Sequence, residues 1–159
     1  MPRAGFVRKR ELLPDPVYGS VLVTRTINRM MKHGKKGAAR AEIYTALESI
    51  KEKTKKNPIE VFEQALENIK PLMEVHSRRI GGAAYQIPVP VTADRREALA
   101  IRWLILAASS RSNKEFHHFS EKLAVEILAA LDKQGEAIKK RQDMERMADA
   151  NKAFAHFRW

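Results

Sequence analysis

Residues 77–91 (SRRIGGAAYQIPVPV) contain the feature that most constrains the fold, a strand pattern within a chain whose other patterns are helical. Apolar residues recur at every second position on both sides of a double glycine, which is typical of strands with one buried face. These residues are Met73, Val75, Tyr85, Ile87, Val89 and Val91. Gly81-Gly82 can adopt the positive φ angles that a tight reversal needs. The pattern predicts a β-hairpin over about 73–91.

Two prolines indicate that one edge of this hairpin has no further strand beside it. Pro88 and Pro90 have no backbone N–H and lie two residues apart, so both missing donors fall on the same edge of the strand. That edge is expected to have no strand partner. Since an isolated hairpin is only marginally stable in water, we expect a two-stranded ribbon held against the third and fourth helices.

Six helices are predicted by apolar residues at helical spacing and by capping residues. They are expected over about 20–33, 35–53, 58–70, 93–110, 114–131 and 136–149. The third helix has the clearest start, because Asn57 is a favourable N-cap and Pro58 suits the first helical position. The fourth is apolar nearly all round, which is typical of a central core helix.

The expected fold class is mainly α, a six-helix domain with one protruding two-stranded β-hairpin and an extended basic N-terminal arm. The arm covers residues 1–18, which have no helical periodicity and contain Pro14 and Pro16. The helical domain, with the hairpin inside it, covers 19–149, and residues 150–159 form a C-terminal tail.

The net charge of +11 is unevenly distributed along the chain. Residues 1–40 contain ten Lys and Arg against two acidic residues, and residues 75–114 contain seven against two. The other two blocks are neutral or slightly acidic. Segregated positive charge is typical of a protein that binds a polyanion, whereas charge that serves only solubility would not need to be segregated.

Composition excludes several classes of protein. The chain has no cysteine, so it has no disulfide framework and no Cys-based zinc site. It lacks a run of about 18 apolar residues, and its first residues lack the apolar core of a signal peptide. We therefore expect no membrane segment and a cytoplasmic location.

No motif indicates catalysis, a cofactor or a metal. The stretch around Gly34 is not a phosphate-binding loop of an NTPase, because Arg29 and Lys36 stand where that motif requires Gly and Ser or Thr. What remains there is a helix N-terminus with two lysines, a suitable place for a phosphate. His117 and His118 would point about 100° apart on a helix, so they do not form one metal-binding face. We predict a non-enzymatic protein without cofactor or metal.

The candidate binding residues are the basic side chains of the two positive blocks and two residues of the hairpin. Arg78 and Arg79 lie on opposite faces of a strand, so one can grip a phosphate while the other packs or reaches into a groove. Tyr85 and Gln86 offer a stacking surface and a polar side chain. The full set is Arg3, Arg8, Lys9, Arg10, Arg29, Lys32, Lys35, Lys36, Arg78, Arg79, Tyr85, Gln86, Arg95, Arg96, Arg102, Arg111 and Lys114. The alternative is a structural hairpin whose arginines are merely solvated.

Five long stretches, in order along the chain, match a known family. They are DPVYGSVLVTRTIN near the start, HGKK at 33–36, NIKPLMEVHSRRIGGAAYQIPVPV at 68–91, ALAIRWLI at 98–105 and KKRQDMERMADANKAFAHFRW at 139–159. The chain thus resembles the small-subunit ribosomal protein seven family in its bacterial form, over essentially its whole length. The resemblance implies a helical domain with a protruding β-ribbon.

The resemblance also implies a function. Such a protein binds the 3′ major domain of the small-subunit ribosomal RNA directly, nucleates assembly of the subunit head, and lies near the exit-site transfer RNA and the messenger RNA path. The arm, the lysines at 35–36, the hairpin and the start of the fourth helix should contact ribosomal RNA. The positions expected near the exit-site transfer RNA are Gly81, Gly82 and Ala83 at the hairpin tip and Arg141 in the sixth helix. The implied protein neighbours are other head proteins and small-subunit protein eleven.

The residues themselves leave two other functions open. A basic ribbon on a helical body also fits a DNA-architectural protein that binds the minor groove. An RNA-modifying enzyme is disfavoured, because the sequence has no cofactor or nucleophile motif. We predict a non-enzymatic ribosomal protein that recognises the shape of an RNA junction through many Lys and Arg contacts and few base-specific ones.

Overall fold

The computed structural model describes residues 11–158 of the chain. Four basic residues of the arm for which RNA contacts are predicted lie outside this range: Arg3, Arg8, Lys9 and Arg10. The elements are α1 (Val21–Met30), α2 (Lys36–Thr54), α3 (Pro58–Ile69), β1 (Met73–Ile80), β2 (Ala83–Pro90), α4 (Ala93–Ser110), α5 (Phe119–Leu131), α6 (Glu136–Ala150) and a short 3₁₀ helix (Lys152–Phe157). The predicted mainly α fold with one two-stranded hairpin is confirmed.

Helix α3 begins as its capping residues predict. The Asn57 side-chain oxygen accepts a hydrogen bond from the Ile59 N–H at 3.1 Å, and its amide donates to Glu60 at 3.1 Å. Pro58 is the first helical residue. Both ends of the helix are thereby set locally, since Pro71 follows shortly after Ile69.

Two helix boundaries differ from the prediction. Helix α1 ends at Met30, and the turn to α2 contains His33 and Gly34 with φ angles of 52° and 74°. Helix α5 begins later than expected, because the Glu121 carboxylate accepts hydrogen bonds from the backbone N–H groups before Phe119. That contact closes the start of the helix and leaves residues 111–118 as a turn.

Helix α4 is the centre of the core, as its apolar sequence predicts. It packs against α1, α3, α5 and α6. Ala100, Leu104 and Ala108 have no exposed surface. The side of α4 that carries Arg102 and Leu106 remains exposed, so this helix both fills the core and presents one face to solvent.

The hairpin has the predicted turn at Gly81-Gly82. Gly81 and Gly82 adopt φ angles of 56° and 91°, and the strands pair antiparallel with Arg78 opposite Tyr85 and Arg79 opposite Ala84. Because directly paired residues share a face of the ribbon, Arg78 lies on the same face as Tyr85, and Arg79 lies on the other.

The expectation that the hairpin leans on the third and fourth helices is only partly right, because Glu74 of β1 pairs with Arg95 of α4 but neither helix provides the main packing. The strands pack mainly against α6 and the 3₁₀ helix. The Tyr85 ring contacts the rings of Phe154 and Phe157, with centroids 5.2 and 5.6 Å apart. This contact depends on the C-terminal residues folding back along β2, which local periodicity does not indicate.

Candidate nucleic-acid interface

A groove of about 510 Å³ between α1 and α4 brings together two of the predicted binding residues. Arg29 lines it from α1, and Arg102 lines it from α4. Both side chains are exposed, and neither has a hydrogen bond or ion pair within residues 11–158. We call this site, with its further lining residues Leu12, Arg25, Asn28, Asp94, Ala98 and Ile101, the basic groove.

Arg25 is a residue of the groove that the sequence prediction missed. It lies four residues before Arg29, so both arginines share one face of α1. That spacing is the signal that could have found it. The Arg25 guanidinium forms an ion pair with Glu97 of α4, which joins the two walls of the groove.

The turn between α1 and α2 extends this positive surface. Lys32 and Lys35 line a neighbouring depression together with Ser109 of α4 and Phe119 of α5. Lys36 is the first residue of α2, whose first turn contains no acidic residue. The free N–H groups and positive dipole end of a helix favour an anion there. We call Lys32, Lys35 and Lys36 the lysine turn.

The hairpin presents its predicted residues on two faces. Arg78, Arg79 and Gln86 are exposed. Tyr85 is half-buried, because its ring packs against the 3₁₀ helix. This packing covers part of the ring for which the sequence predicts a stacking role, and it fixes the ribbon to the body of the protein.

Arg95 and Arg96 lie at the base of the hairpin, each with an internal partner. The Nε of Arg95 donates to both Glu74 oxygens, and the Nε of Arg96 donates to the Val91 carbonyl at 3.0 Å. Burial raises the pKa of Glu74, but hydrogen bonds from Arg95 and His76 outweigh it, so this pKa lies below its ordinary value. Glu74 is therefore a charged anchor for the Arg95 guanidinium.

Arg111 is engaged with a buried carboxylate. Its Nε and Nη2 donate to one Glu126 oxygen at 2.9 and 2.6 Å, and Glu126 has no exposed surface. The other Glu126 oxygen accepts from the Ala137 N–H at 3.0 Å. Since an unpaired buried charge is strongly destabilising, Arg111 serves to hold the end of α4 to α5 and α6. Lys114, in the following turn, is exposed.

Arg141 likewise has an internal partner. Its Nη1 donates to the Asn68 carbonyl of α3 at 2.7 Å, and its Nε lies 3.6 Å from Glu145. It lines a second depression together with Lys70 and Arg96. The hairpin tip, for which the same transfer RNA neighbourhood is predicted, is exposed at Gly81, Gly82 and Ala83.

The described part of the chain offers neither a metal cluster nor a membrane span. Among residues 11–158, no group of three or more His, Asp and Glu side chains could hold a metal ion. No helix in that range is long and apolar enough to cross a membrane.

The helical body, the protruding ribbon and the arginine-lined groove define a class, that of helical proteins with a shaped basic surface for a polyanion. Comparison with known proteins narrows the class: the chain belongs to the ribosomal protein S7p/S5e family, whose model matches residues 2–152. It is 55% identical to the small ribosomal subunit protein uS7 of Pelotomaculum thermopropionicum, over 100% of both chains. The proteins of the same name from Clostridium acetobutylicum and Desulforamulus reducens are 53% and 52% identical, again over 100% of both chains.

Membership of this family confirms several predictions. The chain is a structural, non-enzymatic protein of the small ribosomal subunit. The predicted location in the cytoplasmic ribosome of a bacterium and the association with ribosomal RNA follow from the family.

Proposed function

We propose that this protein binds the 3′ major domain of the small-subunit ribosomal RNA directly and nucleates assembly of the subunit head. The observation that carries the proposal is the convergence of Arg29 and Arg102 in one groove, with the lysine turn continuing the same positive surface. Contacts between such side chains and phosphates supply most of the affinity for a nucleic acid and set its orientation.

The arrangement of the charges favours recognition of RNA shape. An RNA helix presents phosphates and 2′-hydroxyls, while its deep, narrow major groove is closed to side chains. The basic groove and the lysine turn lie side by side along α4, whereas Arg79 lies on the hairpin. Three separate contact regions on one folded domain suit a junction at which several RNA segments meet.

The hairpin tip is the part of the proposal that concerns transfer RNA and the messenger RNA path. Gly81, Gly82 and Ala83 are exposed and have no bulky side chains, so another backbone can approach closely. We assign the tip to the neighbourhood of the exit-site transfer RNA. The C-terminal 3₁₀ helix, beside the hairpin, is the proposed neighbour of small-subunit protein eleven.

The remaining predicted residues either contact the RNA directly or support the residues that do. Arm residues 3–10, Lys114 and Gln86 contribute direct contacts. Tyr85, Arg95 and Arg96 hold the hairpin and add to the positive potential at its base. Arg111 and Arg141 act through their internal partners, by fixing the helices behind the surface.

The experiment is a salt titration of binding to a transcript of the 3′ major domain. The double variant Arg29→Ala, Arg102→Ala should bind at least tenfold more weakly, and the dependence of log K on log salt should flatten by roughly 1.5. The matched control is Lys51→Ala, Lys55→Ala, which removes the same charge from a site at the C-terminal end of α2 lined by Glu48 and Glu52. Equal losses in both variants would refute the assignment of the groove.

A further inference from the structure

We propose that the basic groove takes one unpaired nucleobase, in addition to the phosphates around it. The inference rests on the proposed function and deepens it by naming the class of ligand, a nucleotide that is bulged or looped out of an RNA helix. Three features of the groove carry it: an apolar floor, planar cationic walls and an amide side chain suited to a base edge.

The floor of the groove is apolar. Ile101 is 3% exposed and forms the bottom, Ala98 lies one turn before it on α4, and Leu12 closes one side with 41% of its surface exposed. A site for phosphate alone has no use for such a floor, since a phosphate is strongly hydrated. The flat face of a base, by contrast, is stabilised when it leaves water for an apolar surface.

The walls of the groove are arginines on two different helices. Arg29 and Arg102 are exposed and have no partner within the described range, so their guanidinium planes are available to a ligand. A guanidinium plane stacks on the face of a base as well as pairing with a phosphate. Unstacked bases in RNA loops are recognised in this way, whereas bases inside a helix are inaccessible.

One polar side chain in the lining suits the edge of a base. Asn28 offers both amide donors and a carbonyl acceptor. Asp94 adds a carboxylate to the lining, which repels a phosphate. A carboxylate and an amide among three arginines therefore favour a base edge inside the groove and phosphates at its rim.

The two walls of the groove are joined by an ion pair that involves Arg25 of its own lining. The ion pair between Arg25 and Glu97 links α1 to α4, and both helices pack into the core. The walls therefore keep a fixed separation before the ligand arrives, which reduces the entropy lost on binding. The volume of about 510 Å³ lies within the range of small-molecule sites.

Filling the groove without changing its charge tests the inference. Ala98→Phe should weaken binding to the 3′ major domain transcript roughly tenfold and leave the salt dependence unchanged, because no phosphate contact is lost. The matched control, Ala41→Phe, adds the same ring at an exposed position on α2 outside the groove and should bind normally. Thermal unfolding of both variants verifies that each is folded.

The outcomes separate this inference from the proposed function. If Ala98→Phe binds with wild-type affinity while the double arginine variant binds more weakly, the nucleobase proposal is refuted and the proposed RNA interface is not. Wild-type affinity for both would overturn the RNA interface itself. A weaker Ala98→Phe with a flattened salt dependence would also count against a base, since it would mean that the ring displaced phosphates.

A crosslink identifies what occupies the groove. The chain has no cysteine, so Ala98→Cys provides a single thiol for a short photoreactive group. The expected product joins that group to the base of one unpaired nucleotide. Crosslinks spread over both strands of a helix, or no crosslink in a complex that forms normally, would contradict the proposal.

Discussion

Arg95 donates from its Nε to both carboxylate oxygens of Glu74, at 2.8 and 2.7 Å, and so ties strand β1 to the first turn of α4. His76 contacts the same carboxylate at 2.7 Å. Since α4 also forms one wall of the basic groove, the base of the hairpin and the groove are fixed to the same helix. The Arg95–Glu74 pair therefore links the base of the hairpin directly to the helix that forms one wall of the groove.

Glu74→Gln should destabilise the protein by about 1 kcal/mol at neutral pH, because a charged hydrogen bond is replaced by a neutral one. The folded-state pKa of Glu74 lies below its ordinary value. Its contribution is therefore present above the unfolded pKa of about 4.3 and is lost as pH falls through the folded value. Urea unfolding over this pH range should show that the free energies of unfolding of the wild type and of Glu74→Gln converge as the pH falls.

The control for this change is Glu63→Gln on the exposed side of α3. Glu63→Gln should have little effect on the free energy of unfolding, either at neutral pH or in acid. A Glu74→Gln difference that persists unchanged in acid would show that the lost contribution is not the charge on this carboxylate.

Gly135→Ala should destabilise the protein by about 2 kcal/mol, as expected for a strained backbone with a close contact. Gly135 has a φ of +95°, and a Cβ there would lie 2.7 Å from the buried Glu126 oxygen. Gly37→Ala is the matched control: a Cβ on Gly37, in α2, would have nothing within 4 Å, so alanine should be neutral or stabilising by up to about 1 kcal/mol. Chemical denaturation measures both, and equal effects would contradict the close-contact argument.

Phe154→Ala, Phe157→Ala should loosen the hairpin while leaving the helical core intact. Both rings pack on Tyr85, and the hairpin otherwise rests mainly on α6. Amide hydrogen exchange should accelerate in β1 and β2 and stay slow in α4. Lys152→Ala, an exposed change in the same 3₁₀ helix, should leave the strands protected. Unaltered exchange in the double variant would show that the aromatic contact does not hold the ribbon.

Arg79→Ala should weaken binding to the ribosomal RNA more than Arg78→Ala. Arg79 shares its face of the ribbon with Ala84, whereas Arg78 lies on the face that packs against the 3₁₀ helix through Tyr85. The double variant should also flatten the salt dependence. Filter binding at several salt concentrations compares the three variants, and unchanged affinity and slope in the double variant would remove the hairpin from the interface.

Much of the fold is encoded locally and was predictable. The turn at Gly81-Gly82, the Asn57 cap and the span of α4 each follow from residues close together in sequence. The start of α5 was missed although its signal is also local, because Glu121 lies only three residues after His118 and reaches back to the N–H groups of the preceding turn.

The candidate site was predictable only in part, because charge counts do not reveal partners. Arg29 and Arg111 look equivalent in sequence, yet Arg29 lines an open groove and Arg111 pairs with a buried carboxylate. Arg25 could have been found from its helical spacing with Arg29. The groove itself could not, since it exists only where α1 packs beside α4.

The central claim is that this surface binds the 3′ major domain of the small-subunit ribosomal RNA. The most direct measurement is a competition at physiological salt, in which the labelled 3′ major domain is displaced from the protein by unlabelled ribosomal RNA domains or by duplex DNA. We predict that only the 3′ major domain competes at stoichiometric concentration. Equal or better competition by duplex DNA, or by an unrelated RNA domain of the same length, would contradict the account.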